Sequence, residues 1–175
     1  MSATLTEAKL LPDRLLPVTP EFRIAIVYET PALGATAVKL CEKLMENLKD
    51  TFLFRMAIES FQSLDVEPRF RLALQAAAGA DMIFVGSAGH LPASMLRWLR
   101  ECINTRRADA PVALVDLTDD ASLGATRVHQ ELRAIADKNH LDLISRAELG
   151  EPSSRIILPE FSFRERSHRH WGINE

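Results

Sequence analysis

From Arg23 onward the chain alternates between short apolar runs and longer stretches whose apolar residues recur at i, i+3 and i+4. The short runs predict strands at Arg23–Tyr28, Thr51–Ile58, Asp81–Val85, Pro111–Leu117 and Leu141–Ser145, the last running on toward Leu149. The periodic stretches predict helices over Gly34–Lys49, Pro68–Ala78, Pro92–Thr105 and Leu123–Asn139. Their apolar stripes are Val38, Cys41, Leu44, Met45 and Leu48; then Phe70, Ala73, Leu74 and Ala77; then Met95, Leu96, Leu99, Cys102 and Ile103; then Val128, Leu132, Ile135 and Ala136. Pro68 suits a first helical turn, where a missing N–H is harmless.

Strands that are apolar throughout need cover on both faces, and strands alternating with helices need right-handed crossovers. The expected fold is therefore α/β: a three-layer, doubly wound parallel sheet of five strands. Its expected order is 2-1-3-4-5, with Ile24–Val27, Met82–Val85 and Val112–Val115 central. Residues 1–21 hold three prolines and leucines of no clear period, and read as an irregular arm with Leu15 and Leu16 packing on the body. The α/β domain occupies 22–149. Residues 150–175 fit no further strand–helix unit and form a C-terminal extension. Its Phe161, Phe163 and Trp171 are expected as interface anchors amid Arg164, Arg166, His168, Arg169 and His170.

Ligands of doubly wound sheets sit beyond the carboxyl ends of the strands, where the winding reverses. That rule selects three loops: Glu29–Thr36, Gly86–Pro92 and Asp116–Gly124. In the first, Thr30 and Thr36 serve either as helix caps or as phosphate contacts, and Gly34 either as a turn glycine or as part of an anion cradle. Ser87 caps the third helix or donates to a ligand carbonyl. Gly86 and Gly89 permit close backbone approach. His90 is a rim residue or a ligand. Asp116, Asp119 and Asp120 mark a turn and a helix start, or a Mg²⁺ site.

Composition narrows the function classes. A net charge of -3 lacks the basic excess of a nucleic-acid binder. No apolar run reaches the ~20 residues that span a bilayer, and Met1–Leu10 lacks a basic start followed by an apolar block, so neither membrane nor signal peptide is expected. Cys41 and Cys102 both fall on helical stripes and read as apolar core residues in a reducing cytoplasm. No glycine fingerprint of a dinucleotide fold, no phosphate-loop lysine, no paired Cys or His spacing for metal and no nucleophile elbow is present. No metal is expected, and no catalytic residue is assigned.

Three segments carry a family resemblance. Tyr28-Glu29-Thr30-Pro31-Ala32-Leu33-Gly34-Ala35-Thr36 is similar to the phosphate loop and first helix of flavodoxins. Ala80 through Pro92, followed by Met95-Leu96-Arg97-Trp98-Leu99, resembles the strand and flavin-side loop of NAD(P)H-dependent FMN reductases. Leu123-Gly124-Ala125-Thr126 through Leu132-Arg133 resembles the start of their fourth helix. The resemblance covers residues 23–145 and implies a flavodoxin-like fold, FMN as cofactor and NAD(P)H as co-substrate. It also implies a small-molecule electron acceptor, in the manner of FMN or quinone reductases, and a homo-oligomer. On it, Thr30, Gly34, Ala35 and Thr36 would hold the FMN phosphate. Gly86, Ser87, Ala88, Gly89 and His90 would line the ring, and Ser122 and Gly124 would close the far side. Two residues depart from the pattern: Glu29 sets an anion beside the phosphate, and Pro31 removes an N–H donor. The alternative is a flavodoxin-like domain without cofactor that binds a partner or a small ligand.

Overall fold

A computed structural model describes residues 19–106, 112–119 and 121–150. The expectations for residues 1–18, for Asp120 and for the aromatic and basic residues of the C-terminal extension lie outside the described residues. The strands are β1 (Glu21–Tyr28), β2 (Leu53–Ser60), β3 (Met82–Gly86), β4 (Ala113–Asp116) and β5 (Asp142–Ser145). They form one parallel sheet in the order β2-β1-β3-β4-β5. The helices are α1 (Pro31–Leu48), α2 (Glu67–Ala77), α3 (Ala93–Thr105), α4 (Ala125–Asn139) and α5 (Arg146–Gly150).

The expected three-layer, doubly wound arrangement is observed, and its cause is visible in the packing. Every residue of β3 and of β4 is buried. On one face Ala25, Val27, Ile83, Val85 and Leu114 pack against Phe70, Trp98, Leu99, Val128 and Leu132 of α2, α3 and α4. On the other, Phe22, Ile24, Ile26, Phe84 and Val115 pack against Ala37, Cys41 and Leu44 of α1. Burying a large apolar side chain contributes ~1.5–3 kcal/mol, so these two clusters dominate the stability of the domain. Phe22, Phe52 and Phe54 extend the α1 layer, with ring centroids 5.6 and 5.5 Å from Phe22.

Several boundaries shift by a few residues from the sequence expectation, β1 for one starting at Glu21 instead of Arg23, and three of the shifts have a plain local reason. Helix α1 begins at Pro31, not Gly34, because Thr30 takes an extended conformation and its Oγ1 accepts from the Leu33 N–H at 3.4 Å. Strand β2 runs two residues further than expected, to Ser60, and is followed by a 3-10 turn over Phe61–Asp65 that the periodicity did not predict. That turn buries Phe61 and Leu64, and Ser60 caps it through the Ser63 N–H at 3.2 Å. Strand β5 stops at Ser145 instead of extending to Leu149, since the Glu148 carboxylate turns back to accept from the Ser145 N–H at 2.5 Å and hydroxyl at 2.8 Å. Ser145-Arg146-Ala147-Glu148 is a capping-box sequence, which starts α5 where the strand ends.

Cys41 and Cys102 are buried, one in each core layer, and unpaired by disulfide. Burial pushes both thiols up to about 12, helped by Glu42 and Glu101 respectively. Neither should react with a thiol reagent at pH 8 until the protein unfolds, which a timed dithionitrobenzoate assay with and without denaturant reads directly. The unfolded thiols ionise from about pH 8.5 upward while the folded ones stay protonated. Stability is therefore whole below that pH and falls above it, by roughly 1.4 kcal/mol per pH unit for each thiol. Denaturant melts between pH 8 and 10.5, compared with the same melts of Cys41→Ala and Cys102→Ala, measure the slope.

Candidate functional site

The three loops selected by the sheet's winding do converge at the carboxyl ends of β1, β3 and β4, and the bond that joins them is made by Glu29. Its backbone N–H continues the ladder to Gly86 O at 2.8 Å. Its Oε2 accepts from the Ala88 N–H at 2.5 Å and lies 3.3 Å from the Ser87 hydroxyl. A carboxylate is an acceptor only, so backbone and hydroxyl donors are the groups that can satisfy it. Ser87 itself is fully buried and occupied with its own loop. Its Oγ accepts from the N–H groups of Gly89 and His90, both at 3.0 Å, and faces the His90 carbonyl at 2.9 Å.

A second clasp joins the β3 and β4 loops. Ladder-like bonds continue past the strands, from Leu117 N to Val85 O at 2.9 Å and from Asp119 N to Ser87 O at 3.1 Å. Gly89 then lies on Gly124. A Cβ on Gly124 would stand 1.9 Å from the Gly89 carbonyl oxygen, and Gly89 has a φ of +121°, which a side chain would strain. The two glycines serve backbone-on-backbone packing of one loop on the other. Asp119 makes the expected turn, accepting from the Ala121 N–H at 3.2 Å through Oδ1.

These contacts bear on the fit of FMN at three points. Gly34, Ala35 and Thr36 lie inside α1, and the Gly34 N–H bonds back to Thr30 O at 3.1 Å. Pro31 has no N–H, and Leu33 is capped by Thr30, so the first turn of α1 keeps few amides for a phosphate. The Thr36 hydroxyl donates to Ala32 O at 3.0 Å. Gly34 instead admits the Tyr28 ring, which a Cβ there would meet at 3.0 Å. Among the ring-lining expectations, the Ala88 N–H and the Ser87 hydroxyl are engaged by Glu29 and by the loop, and Gly89 and Gly124 press on each other where a flat ring would enter. His90 is exposed at the rim, and Ser122 Oγ lies beneath the loop without a hydrogen-bond partner. As arranged, the residues do not make a flavin cradle.

At this end of the sheet an open space lies one strand over. A cavity of about 290 Å³ sits at the carboxyl ends of β4 and β5, lined by Asp116, Thr118, Thr126, His129, Ser145 and Arg146. Asp116 is 4% exposed, and its Oδ1 accepts from both the Thr118 N–H at 2.9 Å and the Thr118 hydroxyl at 2.5 Å. Its Oδ2 lies 3.0 Å from His129 Nδ1. Because the carboxylate only accepts, Nδ1 is the donor of this pair, and Nε2 is the ring nitrogen left without a partner from Asp116. The imidazole is held from behind by a buried acid and is 41% exposed. Glu148 is its charged neighbour: the Ser145 N–H and hydroxyl hold that carboxyl below the usual range, and the nearby Arg133 and His129 add to the effect. Helix α4 starts at Gly124 without a side-chain cap.

Asp116 was expected as a turn acid or a Mg²⁺ ligand. Here it is the orienting partner of His129, a residue that the sequence analysis passed over. Its signal was its neighbours: it stands next to Val128 and one turn before Leu132 on the buried stripe of α4. Glu29 and Asp116 each have their own donors, and no group of three or more His, Cys, Asp or Glu among the described residues is placed to hold a metal. No helix among them is long and apolar enough to cross a membrane. No protein-family model, curated protein or solved structure matches the chain.

Two substitutions test the clasps. Gly124→Ala should lower the unfolding free energy by ~1–3 kcal/mol, since backbone must move to admit the methyl group. Glu29→Ala should cost about 1 kcal/mol, because Ala88 is exposed and water replaces the lost acceptor. Urea unfolding gives both values, and amide exchange at 87–90 should quicken in each variant.

Proposed function

We propose that this chain is a flavodoxin-like domain that works without flavin and binds a small polar ligand in the Asp116–His129 cavity. The observation that carries the reading is the Glu29 carboxylate on the Ala88 N–H, at the position that the resemblance assigns to the flavin. A protein group already supplies the acceptor there, so the Ala88 N–H that would meet a flavin ring is taken.

The cavity argues for the ligand's chemistry. About 290 Å³ is at the small end of ligand sites, which run from ~300 to ~1,000 Å³. His129 Nε2 is placed to hydrogen-bond a ligand hydroxyl. Arg146 and the uncapped start of α4 favour an anionic group. A small carboxylate or phosphate ester that also bears a hydroxyl satisfies both.

The test has two arms. FMN added to the purified protein should keep its full free fluorescence, and equilibrium dialysis should show no retained flavin. In thermal melts, a panel of lactate, malate, glycerol 3-phosphate and inorganic phosphate should contain at least one compound that raises Tm. A ligand at 100 times its Kd stabilises by ~2.7 kcal/mol. The rise should vanish in both His129→Ala and Arg146→Ala. Stoichiometric FMN binding, or a rise that survives both substitutions, overturns the reading.

A further inference from the structure

Strand β2 is an edge strand, yet it has the features of a paired one. It is eight residues long, and among the described residues no strand covers its outer side. Leu53 is 58% exposed, and Met56 and Ile58 are each 40% exposed. Long apolar edges invite pairing, and proteins usually blunt them with prolines, bulges or inward charges. Over Leu53–Ser60 β2 has no proline and keeps an unbroken register with β1, and its two charges, Arg55 and Glu59, share one face. The opposite edge differs: β5 has four residues and is ended by the Ser145–Glu148 cap.

The backbone restricts what can add to this edge. Leu53 donates its N–H to Pro20 O at 2.9 Å, on the β1 side. By two-residue alternation Arg55, Ala57 and Glu59 also turn their backbone groups to β1, so Phe54, Met56, Ile58 and Ser60 turn theirs outward. A second copy arriving antiparallel must pair outward residues with outward residues. The possible two-fold axes then pass through a residue of β2. An axis at Arg55 sets two arginines face to face. An axis at Met56 sets Arg55 against Ala57, and one at Ile58 sets Met56 against Ser60. An axis at Ala57 matches Arg55 with Glu59 twice, on the α2 face, and Met56 with Ile58 twice, on the α1 face. It also puts the smallest side chain of the strand on the axis, where the two backbones come closest.

We propose that β2 pairs antiparallel with β2 of a second copy of this chain about Ala57, joining two five-stranded sheets into one. The backbone bonds of Met56 and Ile58 and the burial of their side chains supply the affinity. The exposed Arg55–Glu59 pairs fix the register, since such pairs set specificity more than strength. Arg55 already pairs with Glu21, and Glu59 accepts from the Ser63 hydroxyl at 2.8 Å, so both side chains are positioned on the required face.

Light scattering on the full chain should give twice the chain mass at tens of micromolar. Arg55→Glu and Glu59→Arg should each weaken the dimer at least about tenfold, by placing like charges opposite each other. The double variant should restore it. Directly opposed residues of a non-hydrogen-bonded pair lie ~4.5 Å apart at Cα, within disulfide reach. Ala57→Cys should therefore cross-link to a covalent dimer under mild oxidation, while the buried native thiols stay unreacted. The cross-link needs no stable change in fold and reads the register itself. A monomer at all concentrations, a dimer indifferent to the charge reversals, or a dimer in which Ala57→Cys fails to cross-link overturns the proposal. Either of the last two would mean that another surface, or one of the residues outside the described range, occupies the interface.

Discussion

The Glu29 side chain decides what the carboxyl end of this sheet can be. A carboxylate at the end of an interior strand must find donors, and the loop after β3 supplies the Ala88 N–H, with Ser87 Oγ 3.3 Å away. Once that loop is drawn toward β1, its other side lies against the loop after β4, and only glycines at 89 and 124 let the two backbones meet. A residue that reads in sequence as an electrostatic opponent of phosphate is, in the structure, the acceptor that folds the loop. The loops that the winding of the sheet selects do meet at its carboxyl end, but their donors face one another.

The strands and helices were legible because burial on both faces leaves a strong mark. Ile24–Val27, Met82–Val85 and Val112–Val115 cannot be solvated on either side, and that requirement alone implies helices on both faces and parallel crossovers. The errors gather where side chains overrule periodicity. Thr30 starts α1 three residues before the expected Gly34, and that shift moves Pro31, Ala32 and Leu33 from the loop into the helix, so Gly34 is no longer its first residue. Ser145 and Glu148 end β5 although Leu149 continues the apolar pattern. Both caps are local sequence motifs of a kind that can be read, and both were outweighed by the hydrophobic count.

The Asp116–His129 pair was hidden for a different reason. It joins a strand end to a helix thirteen residues later, as an acid with Thr118 behind it and an imidazole with the cavity before it. Nothing in the spacing of one chain marks such a contact, because it depends on the register of α4 against β4. What could be read was parity. Leu114 of β4 packs toward α4, so Asp116, two residues on, points the same way. On α4 the stripe Val128, Leu132, Ala136 points back. An acid and a histidine on facing surfaces at the open end of a sheet are placed to meet.

The two proposed surfaces lie at opposite edges of the sheet. β2 is one edge, and the Asp116–His129 cavity opens beside β5, at the other. A pairing through β2 would leave the cavity open on each copy and as far as the sheet allows from the interface. Ligand binding and self-association would then be independent in the first instance, since energetic coupling needs an element with two arrangements that both sites bias. The sheet links the two edges, and its central strands are buried throughout and pack as a rigid layer. If coupling exists, the loop held by Glu29 is the natural carrier. It touches β1 on one side and the β4 loop on the other, and the Ala88–Glu29 bond that holds it is exposed to solvent.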